Sequence, residues 1–259
     1  MYLLLFNIIC WIITFSCFYV ILHPNITIFK KIHKSPYKEL VNLDFKKSFN
    51  VINILKHRTH DELRRKYQLF KNNFNVIIFN FNGSLNVGSI MRTACVYGCD
   101  KYYILGRKIY DTRPCVGSNK YIDLHIIKNI VTVLPDKNHK PVIDNNKFKQ
   151  FMIKNKLAPI FVEQGGKNIM NFSFKQYLNI TSEYTPTFIF GNETYGMDIN
   201  FMHHCRGIPG FTVITIPQPG LLKSLNVSNS ASIIFWEYYR QILYKKNVNE
   251  KYSLEQSVF

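Results

Sequence analysis

Apolar residues follow two rhythms along this chain. Short runs rich in β-branched and aromatic residues, Asn75-Val76-Ile77-Ile78-Phe79 and Phe211-Thr212-Val213-Ile214-Thr215-Ile216, predict buried or half-buried strands. A further short β-like run precedes Gly191. Elsewhere the apolar positions recur every three or four residues. Val87, Ile90, Met91, Ala94 and Cys95 form the buried stripe of a helix over 86–98, with Asn86 as its N-cap and Gly98 as its left-handed C′ residue. Ala231, Ile234, Phe235, Tyr238 and Ile242 form the stripe of a second helix, capped by Ser224 or Asn226. Thr59 to Phe70 predicts a short basic helix with Thr59 as cap.

Two of the strands run into bare loops, Gly191-Asn192-Glu193-Thr194-Tyr195-Gly196-Met197 and Ile216 to Ser228. Pro217 and Pro219 stop the second ladder because neither donates a backbone hydrogen bond. That loop ends at a helix N-terminus, where free amides and the positive dipole end suit a carboxylate or phosphate. The pair predicts a small-molecule site. Upstream, Arg92 sits at the margin of its helix's stripe, behind small Gly88 and Ser89, placed to reach outward or simply to be solvated.

Taken in order, three segments resemble the motifs of the SpoU/TrmH family of RNA ribose 2′-O-methyltransferases in the SPOUT superfamily. They are Asn86 to Ala94, Phe190-Gly191-Asn192-Glu193 with Gly196, and Ile216-Pro217 through Ser224-Leu225-Asn226-Val227. The resemblance covers roughly residues 74 to 245 and implies an α/β fold, a mostly parallel sheet flanked by helices with a deep C-terminal trefoil knot and a short N-terminal extension. It implies S-adenosylmethionine as cofactor, held by Gly191, Asn192, Ile216 and Leu225 with Val162 and Glu163 flanking. It also implies a homodimer in which the arginine of one subunit serves the cofactor of the other. Arg92 matches the family's catalytic arginine, and Asn86, Glu193, Ser224 and Asn226 match its other polar positions, either as direct participants or as caps and turn residues. Because guanidinium titrates above about 12, Arg92 suits phosphate binding or alkoxide stabilisation better than proton abstraction.

The stretch Gly106 to Tyr121 interleaves Arg107, Lys108 and Arg113 with Tyr110 and Tyr121 in a loop broken by Gly and Pro. Such a composition suits phosphate contacts and stacking on unpaired bases. A net charge of +17 fits a polyanionic partner, RNA ahead of an acidic metabolite, although anionic lipid would serve the same charge. Transfer RNA is favoured over ribosomal RNA because Trp236-Glu237-Tyr238-Tyr239-Arg240-Gln241 looks closest to the family's transfer-RNA guanosine branch. Residues 48–72 are also too short for a separate RNA-binding domain.

Residues 1–22 read as a hydrophobic leader or membrane anchor, since Tyr2 to Leu22 carry no charge. Residues 23–72 hold a basic, acid-poor targeting segment and the short helix, 73–245 the methyltransferase domain, and 246–259 a polar tail. A hydrophobic leader followed by a basic segment resembles the two-part address of secondary-plastid proteins. An organelle is therefore expected, with mitochondrial import or membrane contact through residues 2–22 as alternatives. The six cysteines show no Cys-x-x-Cys or Cys/His spacing, so no metal is expected. Three classes follow: an active methyltransferase, a catalytically dead RNA binder, and a membrane-anchored interaction protein.

Overall fold

The computed structural model describes residues 50–82, 85–134 and 141–244. The leader, the basic segment up to residue 47 and the tail over 246–259 lie outside the described residues. Among those described, no helix is long and apolar enough to cross a membrane.

Helix α1 (His60–Tyr67) opens with a capping box in which Thr59 Oγ1 accepts from the Glu62 amide while Glu62 accepts from the Thr59 amide. Strand β1 (Asn75–Asn80) follows, then α2 (Leu85–Val96), β2 (Lys101–Gly106), β3 (Asp123–Ile127), β4 (Val131–Val133), β5 (Val142–Ile143) and α3 (Asn145–Lys154). The chain continues through β6 (Leu157–Asn168), α4 (Phe174–Ile180), β7 (Thr185–Phe190), α5 (Ile199–His204), β8 (Thr212–Thr215) and α6 (Val227–Tyr238). Six strands form one parallel sheet in the order β3-β2-β1-β7-β6-β8, while β4 and β5 make a separate antiparallel pair.

Parallel sheets need cover on both faces, and every residue of β1 is buried. Val76 and Ile78 point to one side, where Val87, Ile90, Met91 and Ala94 of α2 pack with Ala231, Ile234, Phe235 and Tyr238 of α6. Ile77 and Phe79 point to the other, against Phe148 and Met152 of α3 and Phe201 and Met202 of α5. The expected mostly parallel sheet flanked by helices is what the chain builds.

Gly98 ends α2 as expected. Its φ is +71°, its amide donates to Cys95 O at 3.2 Å, and Cys99 N reaches Ala94 O at 2.9 Å, the two bonds of a Schellman motif. Asn86 is not the N-cap, because the helix already begins at Leu85, which places Asn86 in the first turn with its side chain turned to a distant partner. The stripe of α6 also shifts at its end. Residues Tyr239–Leu243 form a π turn, so Leu243, five residues after Tyr238, is the next fully buried side chain, while Ile242 packs half-buried against the same core.

Candidate functional site

Since the main sheet is parallel, the loops leaving β7, β6 and β8 emerge at one edge. After β7, Gly191 turns the chain where a Cβ would lie 2.8 Å from the backbone of Gly196. The loop closes on itself through Gly196 N donating to Asn192 O at 2.7 Å, and Asn192 Oδ1 accepts from the Thr194 amide at 3.0 Å. Gly196 itself needs its φ of +61°.

Strand β6 contributes through an irregularity. Val162 and Lys167 both pair with Ile214, so residues 163–166 leave the ladder between them. Gly165 takes φ +78°, and Gly166 presses so closely on Val213 and Ile214 that a Cβ would lie 2.7 Å from their backbone. This bulge carries Glu163 and Gln164 out toward the loop after β8.

That loop, from Ile216 to Asn226, has no regular structure and is latched by two glutamines. Gln164 Nε2 donates to Lys223 O at 2.5 Å, and Gln218 Oε1 accepts from the Leu225 amide at 3.0 Å. Asn226, not Ser224, is the N-cap of α6, its Oδ1 accepting from the Ser228 amide at 2.8 Å. Ser224 is exposed in the loop.

Between these loops lies a cavity of about 440 Å³. Val162, Glu163, Gly191, Asn192, Ile216 and Leu225 all line it, with Glu193, Ser224 and Asn226. Glu193 joins the three sequence segments: Asn86 Nδ2 donates to its Oε2, and Asn226 Nδ2 to its Oε1 at 2.9 Å. The carboxylate therefore ties the start of α2 to the start of α6 at the cavity.

Arg92 is elsewhere. Six residues beyond Asn86 carry it about 9 Å along the helix and roughly 120° around it. It lines a separate, mainly apolar groove of about 620 Å³ with Val96, Tyr97, Tyr121 and Tyr239. Of the proposed basic contacts, Arg107 and Lys108 line a third cleft, whereas Arg113 folds back on Asp111, with Nε at 2.9 Å and Nη2 at 2.5 Å from Oδ2. The hydrogen bonds from Arg113 hold the Asp111 carboxyl below its ordinary range.

Sequence reasoning missed Gln164 and Gln218, whose only signal was proximity to the Gly165-Gly166 pair and the proline-flanked loop. It also missed Asn80, fully buried, whose Nδ2 donates to Arg107 O at 2.9 Å and to Ile109 O at 3.0 Å and so fixes the basic loop. Among the described residues no group of three His, Cys, Asp or Glu side chains could hold a metal ion.

Residues 73–236 match the model of the SpoU rRNA methylase family. No curated protein matches the chain. Among solved structures, the TrmH/SpoU tRNA modifying enzyme of A. aeolicus is similar at 20% identity and TM-score 0.53, over 72% of this chain and 84% of that one. AviRb of Streptomyces viridochromogenes, a SpoU methyltransferase in complex with AdoMet, is similar at 20% identity and TM-score 0.48, over 67% and 59%. An AdoMet-bound rRNA methyltransferase from Sinorhizobium meliloti is similar at 18% identity and TM-score 0.49, over 66% and 57%. The chain thus spans under two thirds of the length of the last two.

Proposed function

The chain belongs to the SpoU rRNA methylase family, and on that premise we propose that it is an S-adenosylmethionine-dependent RNA 2′-O-methyltransferase, acting as a homodimer on a guanosine ribose of transfer RNA in an organelle. The observation that carries the reading is the Glu193 bridge. One carboxylate gathers all three family segments around one cavity.

The cavity suits the methyl donor. Its volume falls within the range of about 300–1,000 Å³ common for cofactor pockets. Val162, Phe190, Ile216 and Leu225 offer apolar walls, Glu163 and Glu193 offer negative charge toward a sulfonium and an ammonium, and the α6 N-terminus suits a carboxylate. Bound there, S-adenosylmethionine supplies an electrophilic methyl group on a positively charged sulfur. The chain's task is then orientation and charge relief for the attacking hydroxyl.

Arg92 does not line the cavity of its own chain, which favours its use by a second copy. Val96, 73% exposed, and Trp236, 53% exposed, lie on α2 and α6 and give that second copy an apolar surface to cover. In the dimer Arg92 holds the adjacent phosphate or stabilises the developing alkoxide while remaining charged. Transfer RNA is preferred on the resemblance of Trp236 to Gln241, and the organelle on the leader and basic segment of residues 2–47. C-terminal threading into a trefoil knot belongs to the same proposal.

Full-length protein incubated with labelled S-adenosylmethionine and organellar transfer or ribosomal RNA, followed by nucleoside analysis, tests this. Label in 2′-O-methylguanosine from transfer RNA is expected. Label only in ribosomal RNA would redirect the substrate, cofactor binding without label would favour an RNA-binding protein, and failure to bind cofactor would overturn the assignment.

A further inference from the structure

The carboxyl edge of the sheet carries a second concavity that the methyl-donor pocket does not use. Its cleft, about 680 Å³, is lined by side chains from three successive strand ends: Asn82 after β1, Arg107 and Lys108 after β2, and Lys128 after β3. The pocket occupies the ends of β7, β6 and β8. The two meet at the β1–β7 boundary, where Asn192 Nδ2 donates to Asn82 Oδ1 at 3.2 Å. With neighbouring strands about 4.8 Å apart, the centre of the cleft at β2 lies about 10 Å from β7.

Its chemistry is that of a nucleotide site. Among the described residues, three cations line it and the one acid, Asp111, is paired with Arg113. Ile109, 82% exposed, lies beside Val131 and Leu134 as an apolar wall within the cleft. The loop bearing these groups is held in place, since buried Asn80 binds the carbonyls of both Arg107 and Ile109 and accepts from the Arg107 amide at 2.8 Å. Fixed cations beside an exposed apolar wall favour a phosphate and an unstacked base together.

We propose that this cleft binds a single unpaired nucleotide flanking the methylated one, with Arg107, Lys108 and Lys128 on its phosphate and Ile109 under its base. The inference rests on the RNA methyltransferase reading, and adds Lys128, Ile109 and Asn82 to the substrate surface. It makes the preferred substrate a loop or other single-stranded segment, because a base held in a helix cannot enter.

The probe is a short fluorescent oligoadenylate, compared with a blunt RNA duplex, titrated onto the full-length protein over a range of salt. Wild type should prefer the single strand. Lys128→Ala should lower its affinity severalfold and flatten the log–log salt slope by about 0.7. Ile109→Ala should lower affinity at every salt concentration with the slope unchanged, and Lys175→Ala on α4 should match wild type. Equal binding of strand and duplex, or a wild-type slope in Lys128→Ala, would overturn the subsite. S-adenosylmethionine binding measured on the same preparations separates the two readings: wild-type cofactor affinity in a Lys128→Ala protein with an unaltered slope sinks only the cleft, whereas absence of cofactor binding in wild type sinks the enzyme and leaves the oligonucleotide result to stand alone.

Discussion

Glu193→Gln should be far more damaging than its near-identical shape suggests. Both carboxylate oxygens accept from amide nitrogens, Asn86 Nδ2 on one side and Asn226 Nδ2 on the other. The orientation of Asn226 is fixed, because its Oδ1 is committed to the Ser228 amide at 2.8 Å and the Ser228 hydroxyl at 2.6 Å. Glutamine keeps one oxygen and replaces the other with an NH2 group, so one contact turns from acceptor against donor into donor against donor. A hydrogen bond to a charged group contributes about 1.5–3 kcal/mol. Asn86 is only 8% exposed, and its bond lies toward the upper value, whereas water can replace part of the Asn226 bond. A net loss of about 2 kcal/mol is expected, which for a chain of this size lowers Tm by roughly 4–8 °C. Cofactor affinity should fall by roughly tenfold or more because the pocket walls separate. The pairing can be rebuilt with swapped polarity. In Glu193→Gln/Asn226→Asp, the glutamine oxygen accepts from Asn86 and its NH2 donates to the carboxylate introduced at position 226, which still caps α6. Calorimetry of unfolding and of S-adenosylmethionine binding on both single variants and the double variant closes the cycle. A double variant no more stable than the sum of the singles, or a Glu193→Gln protein indistinguishable from wild type, would refute the bridge.

Arg92→Ala should reduce methylation by roughly 10²–10³-fold, and mixing it with inactive Glu193→Ala should restore activity, since one mixed dimer site would be intact; no recovery on mixing would place the arginine in its own chain's site. Arg107→Ala and Lys108→Ala should each flatten the salt dependence of RNA binding by about 0.7, and Arg113→Ala by less because Asp111 already neutralises it; equal effects at all three would refute that distinction. Gln218→Ala uncovers the Leu225 amide and should tighten cofactor binding roughly twofold to tenfold, the worth of about 0.5–1.5 kcal/mol for one competing hydrogen bond, and weaker binding would show that Gln218 supports the pocket instead. Burial pushes the Cys95 and Cys115 thiols up to about 11 and Cys205 up to about 12. Thiolate forms only as pH rises toward those values, so at pH 8 mass-spectrometric mapping should find all three alkylated much more slowly in native than in denatured protein.

Local rules made some of this legible. Thr59 and Gly98 act as cap and C′ residue because the deciding interactions lie within a few neighbours in sequence. Gly191, Asn192, Glu193, Ile216, Leu225 and Asn226 of the cavity lining were legible because their motifs kept their spacing. What was hidden depended on partners far along the chain. Asn86 has an N-cap's side chain, yet its bond is to a residue 107 positions away, and no local rule foretells that. Asn80, one residue past the strand predicted over Asn75 to Phe79, carried no local signal, because its carbonyl partners lie in the loop after β2. The π turn at Tyr239 escaped because a helical stripe assumes a constant 3.6-residue period, and one inserted residue breaks it. The β6 bulge was similarly invisible, although its two adjacent glycines marked it, Gly165 by its positive φ and Gly166 where the backbone of β8 comes too close for a side chain.

The pairing of β1 with β7 sets a schedule for the nascent chain. Val76 sits beside Phe188, so the middle of the sheet cannot close until more than a hundred further residues have been made, and the cap at Asn226 comes later still. Long-range parallel pairing is slow because the intervening loop must be ordered before its contacts repay the cost. During that interval β1 and β2 expose apolar faces with their neighbours missing. A ligand that binds only the completed pocket draws the last step forward by mass action. Supply of the methyl donor during synthesis should therefore govern how much soluble protein a cell accumulates, independently of any RNA being methylated.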